Sequence, residues 1–166
     1  PDEAQKLPTE DTRRIIRALE IYKTANITKT EQNRLSRQSP KIYDTFYFAV
    51  DMDRELLYDR INARVDKMME EGLLNEVRSL LDMGVDESTT AMQGIGYKEL
   101  ARFIKGLTTL EEAVNSIKQR TRNYAKRQLT WFRKNDSIVW LKHTVNDDSK
   151  EILIKSLKYM EKFQIV

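Results

Sequence analysis

The chain has 166 residues, with 29 Lys or Arg against 26 Asp or Glu, a net charge of +3, 40% hydrophobic and 33% charged residues. That is an ordinary globular composition with room for one or two small domains. Without cysteine there is no disulfide framework and no thiolate zinc site, and a single histidine, His143, excludes a histidine metal cluster.

No apolar run approaches the roughly 18 residues of a membrane span and no charged-then-apolar leader opens the chain, so a cytoplasmic protein is expected. The opening PDEAQKLPTEDTRR has no initiating Met and no evident start of an element, so the chain reads as the C-terminal part of something longer.

Five glycines and three prolines punctuate the sequence, and the segments between them carry 3.6-residue apolar spacing, which predicts a mostly α fold with one or two short strands. Thr9 is the expected N-cap of a first helix whose buried stripe is Ile15, Ile16, Leu19 and Tyr22, ending near Asn26. Thr28 and Glu31 predict a capping box for a short second helix. IYDTFYFAV, residues 42–50, is aromatic and β-branched between Pro40 and Asp51, the best strand in the sequence.

Asp53 to Glu71 is helical again, with Leu57, Ile61, Val65 and Met68 on one face and Gly72 at the C-cap position. Another helix, about 73–83, stops at Gly84. GIGYKELARFIKG, 94–106, predicts a glycine turn opening into a helix that stops at Gly106. Thr109 and Glu112 form a second capping box, beginning a helix that runs to about Lys134. SIVWL, 137–141, is a short strand candidate and SKEILIKSLKYMEKF a closing amphipathic helix. No internal repeat or low-complexity segment occurs.

Between positions 118 and 134 stand Lys118, Arg120, Arg122, Lys126, Arg127, Arg133 and Lys134, with no Asp or Glu. On a helical wheel Ala113, Val114, Ile117, Thr121, Tyr124, Ala125, Gln128, Trp131 and Phe132 share the face expected to pack inward, which makes Trp131 a core residue. Lys118, Arg122, Lys126 and Arg133 flank it on one side, Arg120, Arg127 and Lys134 on the other. Ser116, Gln119, Asn123 and Thr130 face outward between them. A neutral polar strip between two basic rails suits a phosphodiester backbone, with RNA the natural partner. The alternative is that long basic side chains merely lie along an apolar stripe, although a solvated helix ordinarily mixes in acids at i±4.

Arg60 and Arg64 lie one turn apart with no carboxylate at i±3 or i±4 on their own helix, an arrangement that can clamp a diphosphate or await an acid from another element. Arg54 has Asp51 at i−3 and is the weaker candidate. QGIGYK places two glycines before a helix start, where backbone N–H groups can approach an anion near Lys98, or form an ordinary turn. Arg13, Arg14 and Arg17 begin the first helix, where cations oppose the macrodipole.

In order and at sensible spacing, DTRRIIRALEIY, RVDKMMEEGLLNEVRSLL, AMQGIGYKEL and YAKRQLTWFR resemble the tRNA dimethylallyltransferase (tRNA isopentenyltransferase) family. The chain is similar to the C-terminal half of such an enzyme. The resemblance implies the end of a helical, tRNA-binding insertion over 1–41. Over 42–166 it implies the C-terminal part of a P-loop NTPase-like α/β core, one strand and then a helical bundle. Family members commonly read HPND where Leu7, Pro8, Thr9 and Glu10 stand here.

The implied reaction moves a dimethylallyl group from dimethylallyl diphosphate to the exocyclic amine of the adenine 3′ of the anticodon, with Mg2+ assisting diphosphate departure. The nucleotide-type phosphate loop GxTxxGK[ST] and the basic aspartate are absent from these residues, so the chain alone is expected to be inactive and to hold no metal ligands. Arg60 and Arg64, with Arg54 behind them, are the implied diphosphate stabilisers. Contacts to the tRNA anticodon stem-loop fall by resemblance to Arg13, Arg14, Ile15, Ile16 and Arg17, and to Gln93, Gly94, Ile95, Gly96, Tyr97 and Lys98. The third stretch is Lys126, Arg127, Gln128, Leu129, Thr130, Trp131, Phe132 and Arg133, joined by Arg122 of the same rail. A monomer with no membrane attachment is expected. The competing readings are an adenylate isopentenyltransferase, which has no use for a long basic helix, and a non-catalytic helical RNA-binding module, which gives the arginine pair no task.

Overall fold

The computed structural model describes residues 5, 7–38, 43, 45–144 and 148–162. It divides into two compact units, Pro1–Thr45 and Phe46–Val166.

The first unit holds α1 (Thr12–Ala25) and α2 (Lys29–Gln38), packed on each other. Asp11, two residues beyond the expected Thr9, caps α1: its Oδ1 accepts the Arg14 N–H at 3.2 Å, while the Thr9 hydroxyl turns to the Glu10 carboxylate. A Pro8 carbonyl that accepts the Asp11 N–H holds this turn, so the aspartate and not the threonine reaches the first helical amides. Asn26 ends the helix in the left-handed region, φ 53°.

The expected stripe does not form a core. Ile16, Leu19 and Tyr22 are 50%, 54% and 55% exposed and Ile15 is half-buried, while Ile21 is the buried residue of α1. A stripe becomes a core only where a second surface covers its full width, and α2 presents few apolar residues to do so. At the start of α2 the Thr28 hydroxyl accepts the Glu31 N–H at 3.1 Å, but the Glu31 carboxylate goes to Arg34 instead of closing the capping box.

In the second unit β1 (Tyr47–Met52) pairs in parallel with β2 (Ile138–His143), from Tyr47 opposite Ile138 to Met52 opposite His143. β1 therefore starts later and ends later than the 42–50 expected; Ile42 and Asp44 lie outside the described residues. Pairing fixes strand limits, and β2 offers no partner before Tyr47.

Four helices bridge the strands: α3 (Arg54–Glu70), α4 (Leu73–Asp82), α5 (Tyr97–Ile104) and α6 (Leu110–Phe132). Asp53 caps α3 by accepting the Glu55 and Leu56 N–H groups. Thr109 and Glu112 cap α6 reciprocally, Thr109 Oγ1 accepting from Glu112 N at 3.2 Å and Glu112 Oε2 from Thr109 N at 2.8 Å. The core gathers Val65, Leu73, Val77, Met92, Leu100, Ala101, Ala113 and Ile117, with Val77 and Leu100 completely buried. α7 (Ser149–Lys162) covers part of the strand pair, with Tyr159 edge-on to Phe48. No helix among the described residues is long and apolar enough to cross a membrane.

Along α6 the covered edge rotates. Ala113 and Ile117 are buried and Thr121, Ala125 and Phe132 half-buried as expected, but Arg122 and Leu129 are half-buried too, while Tyr124 and Gln128 are exposed and Trp131 is 68% exposed. The stripe turns by roughly a third of a turn. Its first half faces α5, and its second half faces Leu57 of α3 and the strand residues Phe48, Val50 and Trp140. Trp131 is therefore a surface residue, because the neighbours that would bury it on the wheel do not extend that far along the helix.

Candidate functional site

α3 starts two residues after β1 ends, so its first turns stand at the C-terminal end of the parallel pair, where open α/β sheets place their ligands. The Arg60 Nη1 lies 3.3 Å from Nε2 of His143, the last residue of β2. Arg64, one turn further, is exposed and makes no hydrogen bond or ion pair among the described residues. Neither arginine pairs with an acid among the described residues. Asp66, on the same helix, holds Lys118 at 2.6 Å.

Arg54 belongs elsewhere. Its Nε donates to the Tyr58 hydroxyl at 3.2 Å and its guanidinium stacks 5.2 Å from that ring, with no bond to Asp51. It shares a cleft of about 240 Å³ with Tyr58, Lys126, Thr130 and Arg133, so it joins the α6 residues and not the Arg60–Arg64 pair.

The amides of the two glycines in the turn are engaged within the fold. The Gly94 N–H donates to Ala91 O at 3.0 Å and the Gly96 N–H to Glu99 Oε2 at 2.8 Å. Gly96 is required for its backbone, φ +105°, a conformation other residues resist. Gln93 is folded back, donating to Glu87 O and accepting from Lys98 Nζ at 3.4 Å. The Tyr97 hydroxyl donates to Glu76 Oε1 at 2.5 Å, and that carboxylate pushes the phenol above its ordinary range. Gln93, Ile95 and Lys98 are the exposed residues of this stretch.

The basic helix separates into two populations. Lys118 is held by Asp66, Arg120 Nε pairs with buried Glu99 at 3.1 Å, and Arg122 donates to Asn62 Oδ1 at 2.6 Å and Gln119 Oε1 at 2.7 Å beside the Tyr58 ring. These three are bonded to neighbouring side chains of the bundle. The signal was the presence of Asp66 and Glu99 in other helices, invisible to i±4 counting on α6 itself.

Lys126, Arg127 and Lys134 remain as exposed cations, and with Asn123, Thr130 and the indole of Trp131 they line a shallow depression of about 490 Å³. Arg127 stacks on Tyr124, and Arg133 lies 5.9 Å from the Trp140 ring. Gln128, though exposed, lines the apolar groove beside the strands together with Leu129 and Phe132. Asn123 and Lys134 are additions to the expected contact residues; both fall on the outward side of the helical wheel.

At the start of α1, Arg14 pairs with Asp11 at 3.1 Å and Arg17 with Glu20 at 3.2 Å. Arg13 is exposed and unpaired among the described residues. No group of three or more His, Asp or Glu side chains that could hold a metal is gathered among the described residues.

Residues 1–135 match the family model described as IPP transferase. The tRNA dimethylallyltransferase of Acetivibrio thermocellus is 45% identical over 96% of this chain and 50% of its own length; that of Carboxydothermus hydrogenoformans is 49% identical over 93% and 48%. The chain thus spans about half the length of these curated relatives. Among solved structures, the full-length tRNA isopentenylpyrophosphate transferase of Bacillus halodurans superposes with a TM-score of 0.68 at 36% identity, over 99% of this chain and 49% of that one. A eukaryotic dimethylallyltransferase acting on tRNA gives 0.79 at 30%, over 98% and 44%. With the family model covering most of its length and relatives this similar, the chain belongs to the IPP transferase family.

Proposed function

We propose that the full-length protein transfers a dimethylallyl group from dimethylallyl diphosphate to the exocyclic amine of the adenine 3′ of the anticodon in tRNA. The observation that carries this reading is the outward face of α6, where Trp131 stands among Lys126, Arg127 and Lys134 with no acid lining the same depression. Exposed aromatics interleaved with cations suit single-stranded RNA, because a base stacks on the ring while phosphates meet the charges. An enzyme acting on a free adenylate needs no such length of surface.

Ionisation of the prenyl carbon–oxygen bond builds charge on the departing diphosphate. Arg60, which meets the end of β2, and Arg64 one turn further, both without a carboxylate partner among the described residues, are suited to stabilise that charge. The amine must lose a proton in the transfer, and the base belongs to residues outside this chain. Mg2+ would assist diphosphate departure. The protein is read as a cytoplasmic monomer.

The deciding experiment incubates the full-length protein with tRNA and dimethylallyl diphosphate, then analyses nucleoside digests by mass spectrometry. Adenosine carrying one five-carbon unit, mapped next to the anticodon, is the expected result. Prenylation of free AMP with unmodified tRNA would instead assign the adenylate enzyme, and no prenylated product at all would leave an RNA-binding module.

A further inference from the structure

The structure assigns a second phosphate-binding cleft to this protein, formed by Lys98, Arg102 and Arg120 between α5 and α6, which takes the RNA backbone beyond the Trp131 surface. The inference rests on the reading of the protein as an enzyme acting on RNA.

The cleft has a volume of about 160 Å³ and is lined by those three cations, by the carboxylates of Glu99 and Glu112, and by Ser116. Both carboxylates are already engaged. Glu99 accepts the Gly96 N–H through Oε2 and holds Arg120 Nε through Oε1; Glu112 accepts the Thr109 N–H, which together with the Thr109 hydroxyl keeps its carboxyl below the usual range.

The donors are less fully used. Arg102 and the Ser116 hydroxyl make no hydrogen bond or ion pair among the described residues, and Lys98 has only a 3.4 Å contact to Gln93. Arg120 engages Glu99 through Nε, which leaves its terminal nitrogens directed to no described partner. Arg102 in the last turn of α5 complements the helix C-terminus, which accounts for one cation there. It does not account for three around one small cleft, where two carboxylates leave one positive charge over and free guanidinium and ammonium donors for a bound anion.

The choice of RNA backbone over a free phosphate follows from the helix. At 100° per residue Ser116, Arg120, Asn123, Arg127, Thr130 and Lys134 fall on a single strip of α6. The cleft therefore sits on the same face as the Trp131 depression, and Ser116 and Thr130 are about 20 Å apart along the axis. A backbone that follows this face reaches both.

The test measures binding of tRNA to the full-length protein by fluorescence anisotropy across a salt series. Arg102→Ala should lower the affinity and make the slope of log affinity against log salt shallower by roughly 0.7–0.9, one phosphate contact. Arg102→Lys should restore the slope, and the melting temperature of Arg102→Ala should fall only slightly, because among the described residues Arg102 makes no hydrogen bond or ion pair and contributes only its charge at the helix C-terminus. Normal affinity and slope in Arg102→Ala, alongside weakened binding in Lys126→Ala/Arg127→Ala, would remove RNA from the cleft while sparing the proposed RNA face. If neither variant alters tRNA binding, the RNA face itself is wrong and the cleft falls with it. Altered inhibition by inorganic diphosphate with an unchanged tRNA slope would hand the cleft to a free anion and overturn the assignment.

Discussion

Arg60 and His143 meet at 3.3 Å, guanidinium nitrogen to ring Nε2, across 83 residues of sequence. An arginine only donates, so a hydrogen bond here requires Nε2 as its acceptor. The contact fixes one arginine of α3 at the C-terminal end of β2. In the full-length protein, Arg60→Ala should lower single-turnover prenyl transfer at saturating tRNA by roughly 10²-fold, the scale for losing one charge-stabilising donor. Arg64→Ala should do the same, with tRNA affinity nearly constant in both. His143→Ala should cost less, and His143→Gln, which keeps an acceptor, should recover part of it. Lost tRNA binding with retained turnover would move the pair to the RNA surface.

Trp131 gives the second test. At 68% exposure, Trp131→Ala should change unfolding free energy by no more than about 0.5 kcal/mol, as at surface positions generally. It should weaken binding of the anticodon stem-loop by about 1–3 kcal/mol if a base stacks on it. Urea unfolding and a binding titration on the same preparation separate the two quantities. A large stability loss would return the indole to the core.

Arg122 and Lys126 should behave oppositely although they share one rail of the helical wheel. Arg122→Ala removes bonds to Asn62 and Gln119 and should destabilise the protein by about 1–2 kcal/mol, with little effect on the salt slope of tRNA binding. Lys126→Ala combined with Arg127→Ala should leave the melting temperature in place and make that slope shallower by roughly 1.4–1.8 units. A changed slope in Arg122→Ala would show that its guanidinium leaves Asn62 to meet RNA.

Gly96→Ala is a backbone test. The residue sits at φ +105°, and an added Cβ would stand 3.6 Å from Leu73 Cδ2, an ordinary contact, so the cost comes from the dihedral and not from crowding. A loss of about 1–3 kcal/mol in thermal or chemical unfolding is expected. Full stability in the variant would contradict the conformation of this turn.

What the sequence determined by itself is the order and limits of the helices in the second unit. Asp53, Thr109 with Glu112, Gly72 and Gly106 act through bonds and dihedrals within a few residues, so local chemistry decides where a helix starts and stops. The lack of a carboxylate near Arg60 and Arg64 on α3 was equally legible, being a matter of spacing along one helix.

Tertiary structure alone decided which basic residues are bonded to the rest of the bundle. Lys118 and Arg120 are claimed by Asp66 of α3 and Glu99 of α5, and Arg122 by Asn62, partners that stand far off in sequence. It also decided that Trp131 is outside and Leu129 half inside, because an apolar stripe is buried only where another element lies against it, and α6 exchanges one neighbour for another along its length. A helical wheel assigns residues one constant direction; packing partners change with height along the axis, and burial follows the partners.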